Sequence, residues 1–411
     1  MPLQRADLRA TRRRDGPDPH NRSNVNPCAG ARRRAGFVVS GTRFPPDRSA
    51  TITPMSGQTL RVAVLGAGTV GHEVVRALIE RKDELTVDGR PALELAGVAV
   101  RDVEAAVSRG LPAGLLTDAP AHLIASGADV VVELMGGDEP ARTLIAAALG
   151  AGLPVVTANK HVLAHHGAEL EAIARRTGAP LRFEASVGGG IPVLTPLARD
   201  LAGNRVRAVR GSVNGTTNYI LTAMTDEGRD YDEVLAAAQV AGYAEADPTG
   251  DVEGHDAVNK LVILARLAFG AWLQPGDVAT SGDAAAAGHG RPGITGVTAA
   301  DIAGATAAGK VVKLVASAVR SESDGAGRIE ANVLATRVAA DSPLGRTSGV
   351  LNRIEVEASP VGTVAFSGPG AGGPATSSAV LGDLLAIAAD GGSTWGSLPP
   401  ARAAVPAGSG S

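Results

Sequence analysis

The segment "GYAEADPTGDVEGHDAVNKLVIL", Gly242 to Leu264, places five carboxylates, Glu245, Asp247, Asp251, Glu253 and Asp256, ahead of one lysine, Lys260. Asp256 and Lys260 are four residues apart, so on a helix they share a face. Two chemistries fit the pair. One is an ion pair open to water, which is worth little. The other follows from the run "LVILARLAF" after the lysine, which implies burial. An ammonium in apolar surroundings loses proton affinity and can act as a general acid toward a carbonyl oxygen. The residues alone leave both open.

Two more stretches carry chemistry. "GAGTVG" fits G-x-G-x-x-G at Gly66, Gly68 and Gly71, with Thr69 and Val70 between. Such glycines allow a tight turn and close backbone approach to a pyrophosphate at a helix N-terminus. "TANK" ends in Lys160 directly after an apolar strand, where open α/β sheets place their ligands. Lys160 is therefore either a contact to substrate or cofactor or a surface lysine starting a loop. "ELMGG", Glu133 to Gly137, follows an earlier strand in the same way.

The elements that must position these residues are legible as a pattern. "LRVAVLG" is a β-branched run, "HEVVRALIE" has helical spacing, and "ALELAGVAV", "ADVVVELMG" and "LPVVTAN" alternate with helices such as "PARTLIAAALGAG". That alternation predicts a parallel sheet covered on both faces, an α/β dinucleotide-binding fold of the Rossmann kind. Its second strand ends "VAVRD", where Arg101 could fork onto a 2′-phosphate and Asp102 could accept from a 2′-hydroxyl. The arginine comes first, which favours NADP(H) over NAD(H). After "RFEASVGGGIPV" the units lengthen: "RVRAVRGSVNG" reads as a strand and "DAVNKLVILARLAFG" as a buried helix. "NGTTN", Asn214 to Asn218, can hold the site together or cap the next helix through Thr217 or Asn218.

Composition bounds the rest. A chain of 411 residues at formal net charge -3 fits two or three domains and gives no bulk attraction to nucleic acid or anionic membrane. No apolar run approaches the length of a membrane span. The single cysteine, Cys28, rules out a disulfide framework and, if it lies outside the fold, a cysteine nucleophile. Residues 1–54 hold eleven arginines against four acids and are expected to be a disordered extension, with Met55 as initiator. Residues 55–190 then form the nucleotide-binding domain, 191–365 an α+β catalytic and dimerisation domain, and 366–390 a segment returning to the first. The Gly-, Pro- and Ser-rich residues 391–411 read as a flexible tail. His161, His165 and His166 lack supporting carboxylate or thiolate spacing and read as a solvated helix face rather than a metal site.

"GAGTVG", "TANK", "EASVGGGIPV", "GSVNGTTNYIL", the acidic segment and "GPGAGG" occur in the order of homoserine dehydrogenase, which the chain resembles from about Leu60 to about Asp390. The resemblance implies NAD(P)-dependent interconversion of L-homoserine and L-aspartate 4-semialdehyde, on the branch to threonine, methionine and isoleucine. It matches Lys260 to the catalytic lysine and Lys160 to the second lysine of the site. Glu245 and Asp256 match substrate-binding acids, Gly242 contributes backbone, and Asp251 supports. Gly370 or a neighbour in "GPGAGG" approaches the cofactor as the C-terminal helix returns to the first domain. A sodium ion is implied at Glu184, Val187, Gly189 and Ile191. A cytoplasmic homodimer is implied too, assembled through a sheet of residues about 325–365. The chain ends soon after the returning helix, so the regulatory amino-acid-binding domain of many relatives, and threonine inhibition through it, are not expected. A sugar-type oxidoreductase or an inactive NADP sensor would not need Glu245, Asp256 and Lys260 together.

Overall fold

The computed structural model describes residues 59–87, 89–282, 287–321 and 328–403. The expected extension at 1–54, the start at Met55, Cys28 and residues 404–411 lie outside them. The first sheet has six parallel strands: β1 (Thr59–Leu65), β2 (Ala92–Ala99), β3 (Leu116–Thr117), β4 (Val130–Glu133), β5 (Val155–Thr157) and β6 (Leu181–Arg182), in the order β3-β2-β1-β4-β5-β6. Helices α1 (Thr69–Glu80), α2 (Val103–Ser108), α3 (Pro120–Ala125), α4 (Ala141–Gly150) and α5 (Lys160–Thr177) connect them. Val62 to Leu65 and all of β4 are buried, as continuous β-branched runs require in strands covered on both faces. The strand order reverses beside β1, and β1 and β4 part there at their carboxyl ends, which opens the crevice such sheets use for ligands.

Two positions in the first turn can only be glycine. Gly66 has φ +98°, and a Cβ on it would lie 2.7 Å from the Leu134 carbonyl oxygen. A Cβ on Gly71 would lie 2.0 Å from the Gly66 oxygen, so α1 can close under the turn only without a side chain there.

Beyond β6 come α6 (Leu194–Ala198), β7 (Arg205–Ser212), α7 (Gly215–Glu227), α8 (Tyr231–Val240), α9 (Thr249–Val252), α10 (His255–Phe269), β8 (Ala271–Trp272) and α11 (Ala299–Ala307). Strands β9 (Lys310–Arg320), β10 (Ile329–Ala339), β11 (Leu351–Ser359) and β12 (Gly362–Pro369) complete an antiparallel sheet, ordered β10-β9-β7-β11-β12. Its alternating buried residues, Asn352, Ile354, Val356 and Ala358 on β11, face the helices. Helix α10 is buried along almost its whole length, between α5 and this sheet, so one apolar core runs from the first sheet to the second. Helix α12 (Gly373–Ala388) then returns to the first sheet, where Val380, Leu381 and Leu384 pack with Val74 and Leu78 of α1.

The expected tail at 391–411 differs from the structure over its described part. Thr394 and Trp395 are buried, Thr394 Oγ1 accepts from Phe183 N at 2.9 Å, and Trp395 packs beside Phe183 and under the Arg175 guanidinium. The Leu398 and Pro399 carbonyls accept from Arg175 and Arg266, and β13 (Arg402–Ala403) pairs with β8. Composition misled because two side chains and the backbone do the anchoring.

Candidate active site

Helix α5 begins at Lys160 because Asn159 caps it, its Oδ1 accepting from Val162 N at 3.1 Å. That cap is itself fixed from below. Thr157 Oγ1 donates to the buried Glu133 at 2.6 Å and accepts from Asn159 N at 2.9 Å, tying the ends of β4 and β5 together. Lys160 therefore starts from a rigid strand end and reaches across to the second domain. Its Nζ lies 2.7 Å from Asp256 Oδ1.

Asp256 sits in the first turn of α10, and Lys260 lies one turn on. Lys260 Nζ donates to Asp256 Oδ2 at 2.8 Å and to the Val213 carbonyl at 2.6 Å. Asn214 completes the cluster: its Nδ2 donates to Asp251 Oδ1 at 2.7 Å and Asp256 Oδ2 at 2.8 Å, while its Oδ1 caps α7 by accepting from Thr217 N at 2.8 Å. Asn214 is thus the cap, where Thr217 or Asn218 was expected, since the residue before the first helical turn alone can reach N3. The Lys260 and Asp256 side chains are 9% and 10% exposed and that of Lys160 is 42%, so the cluster opens to solvent on the Lys160 side.

Both oxygens of Asp256 are engaged, Oδ1 by Lys160 and Oδ2 by Lys260 and Asn214. Glu245 is exposed near the mouth, and its charge reaches Lys160. Gly242, at φ +77°, turns the chain into that loop. Asp247 accepts from Thr249 N within its own turn.

Residues 192–385 match the family profile "Homoserine dehydrogenase" and residues 66–184 that of "Homoserine dehydrogenase, NAD binding domain". The chain is 46% identical over 333 residues to homoserine dehydrogenase of Mycobacterium leprae, covering 80% of this chain and 73% of that one. It is 43% identical to that of Corynebacterium glutamicum, covering 84% and 77%. The chain belongs to the homoserine dehydrogenase family. A homoserine dehydrogenase structure from Thiobacillus denitrificans superposes with TM-score 0.76 at 36% identity, covering 84% of this chain and 79% of that one. A hyperthermophilic archaeal homoserine dehydrogenase in complex with NADPH superposes at 0.66 and 25% identity, covering 81% and 98%. The activity is accordingly NAD(P)-dependent interconversion of L-homoserine and L-aspartate 4-semialdehyde.

The parts that homoserine dehydrogenase chemistry needs can be tested against these residues. No side chain caps α1, so its first N–H groups stay free, and the Cβ side of Gly68 meets nothing within 4 Å. Thr69, Val70 and Gly71 form the first turn of that helix, a fit to the diphosphate of the family's cofactor. Arg101 is exposed, whereas Asp102 caps α2, its Oδ1 accepting from Ala105 N at 2.8 Å. Gly370 is buried: a Cβ on it would strike the Asn352 amide, and a Cβ on Gly189 would strike Gly370. At the implied cation segment, Glu184 spends its carboxylate on the start of α6, accepting from Val193, Leu194 and Thr195 N at 2.7–2.8 Å. A hard cation there would be left to the backbone oxygens of Glu184, Val187, Gly189 and Ile191, of which that of Glu184 also accepts from Val187 N at 3.5 Å. His161 stacks on His165, and His166 pairs with Asp138 at 3.0 Å.

Electrostatics separates the two lysines. Burial pushes Lys260 down, the Asp256 charge opposes that, and repulsion from Lys160 adds to the fall. Lys160 is pushed up, chiefly by Asp256, against the effect of burial. Asp256 is held far below the usual carboxylate range because both lysines outweigh its own burial. Groups driven apart in this way divide into one that exchanges a proton and one that keeps its charge.

Proposed function

We propose that Lys260 is the proton-transfer residue of the homoserine dehydrogenase reaction and that Lys160 supplies a fixed positive charge beside it. A bound nicotinamide cofactor supplies or accepts hydride. In oxidation, neutral Lys260 takes the proton of the homoserine hydroxyl as its carbon gives up hydride. In reduction, the Lys260 ammonium returns a proton to the oxygen of the aldehyde and stabilises the developing alkoxide. Glu245 faces the substrate ammonium, with Gly242 shaping its loop and Asp251 steadying Asp256 through Asn214. The observation that carries this reading is one buried carboxylate bonded to two lysines, of which burial pushes Lys260 down while the carboxylate pushes the more open Lys160 up. Lys260→Ala is expected to lower kcat about 10²-fold or more. The assay follows NADPH at 340 nm, and unchanged turnover would reduce Lys260 to a plain ion-pair partner.

Three finer readings accompany it. The exposed Arg101, next to an aspartate already committed to a helix cap, supports NADP(H) over NAD(H). A sodium ion held by the carbonyls of Glu184, Val187, Gly189 and Ile191 would brace the turn against Gly370. The family resemblance supports a cytoplasmic homodimer paired through the antiparallel sheet. Among the described residues no helix is long and apolar enough to cross a membrane.

A further inference from the structure

Lys313, on β9, is 3% exposed and lies outside every motif described above. Among the described residues no carboxylate bonds it. Its Nζ donates to two neutral oxygens, Asn218 Oδ1 at 2.8 Å and the Thr347 carbonyl at 2.6 Å. Burial pushes this ammonium down to about 8, with the charge of Asp226 opposing. A buried cation bound to neutral groups is an expensive way to fill a core, because an apolar residue of similar size usually serves stability as well.

Its contacts lead to the active site by two routes. Asn218, itself 1% exposed, points its Nδ2 at the Leu351 carbonyl at 3.1 Å and at Thr347 O at 3.3 Å, which pins the start of β11. The next residue, the fully buried Asn352, donates to the Val213 carbonyl at 2.9 Å, and Lys260 Nζ rests on that same oxygen. The second route runs one turn back along α7, where Asn218 N donates to the carbonyl of Asn214, the residue that holds Asp256. Because Lys313 has only donors, it also fixes which end of the Asn218 amide faces which neighbour.

We propose that Lys313 is a positioning residue for the reaction: bonded to Asn218 and Thr347, it holds Thr347–Asn352 against α7 and fixes the carbonyl on which Lys260 rests. The proposal rests on the reading of Lys260 above and extends it. It is tested by a double-mutant cycle of Lys313→Met and Lys260→Ala, with kcat measured at 340 nm and NADPH dissociation by fluorescence. Lys313→Met is expected to lower kcat about tenfold while the NADPH Kd moves less than about twofold, and in the Lys260→Ala background the loss disappears. A residue that merely stabilised the core would cost the same factor in both backgrounds, which overturns the proposal, as does a Lys313→Met enzyme with wild-type kcat. If Lys260→Ala alone keeps wild-type kcat, the reading of Lys260 falls and takes this one with it. Should Lys313→Met fail to fold, Asn218→Asp enters the same cycle. It keeps an acceptor for Lys313 but loses the donor to Leu351, and the same loss, abolished with Lys260→Ala, is expected.

Discussion

Asp256→Asn removes one charge and almost no volume. In the native site the carboxylate serves Lys160 at 2.7 Å, Lys260 at 2.8 Å and Asn214 at 2.8 Å. An amide has one oxygen for these three donors, and its own N–H groups must face a cation. One charge-assisted bond is lost, worth about 1.5–3 kcal/mol, and another falls to the neutral range of about 1 kcal/mol. Lys160 is 42% exposed, so its share counts at the low end. A total near 3 kcal/mol corresponds to a roughly 10²-fold fall in kcat/KM. The pH profile carries a sign as well. The Asp256 charge raises the proton affinity of Lys260, so its removal leaves burial and Lys160 to push that affinity lower still. Homoserine oxidation needs neutral Lys260, so its acid-side rise should move to lower pH. Semialdehyde reduction needs the ammonium, and its alkaline fall should move the same way. Rates followed at 340 nm in both directions across pH decide it. An enzyme within about threefold of wild type, or a limb that stays or moves to higher pH, would refute the reasoning.

Glu171 joins α5 to α10, accepting from Arg266, Arg175 and Trp272. Glu171→Ala leaves a fully buried guanidinium uncompensated, and denaturant unfolding should show a loss of about 3–5 kcal/mol. Burial works to raise the Glu171 carboxyl, but Arg266, Trp272 and Arg175 together outweigh it and the net shift is downward. The stabilisation is therefore full above the unfolded-state carboxylate pKa and disappears as pH falls through the lower folded value. Gly71→Ala would press a Cβ onto the Gly66 oxygen, and NADPH binding by fluorescence titration should weaken roughly tenfold or more. Arg101→Ser should cost about tenfold in kcat/KM with NADPH and little with NADH; equal losses for both would remove Arg101 from recognition of the 2′-phosphate.

What could be read from the sequence was local. Gly66, Gly68 and Gly71 mark a strand–turn–helix within a dozen residues, and Asp256 and Lys260 share a helical face by spacing alone. The bond from Lys160 to Asp256 crosses 96 positions and depends on how two domains meet, which no period encodes. Asn214 carries a local signal as a residue type favoured at N-caps, directly before a helix, although its second task, bridging Asp251 and Asp256, is purely tertiary. Lys313 left none, since it stands in an apolar strand and finds its partners 34 and 95 residues away.

The residues from Thr394 to Pro399 have a consequence for anyone altering this chain. Their backbone is bonded to Arg175 on the helix that carries Lys160 and to Arg266 on the helix that carries Lys260. Trimming, tagging or grafting at that end is therefore not a surface edit. It changes the mounting on which both lysines are aligned, so a loss of turnover after such engineering would report a shift of α5 against α10, with every residue of the reaction centre still present.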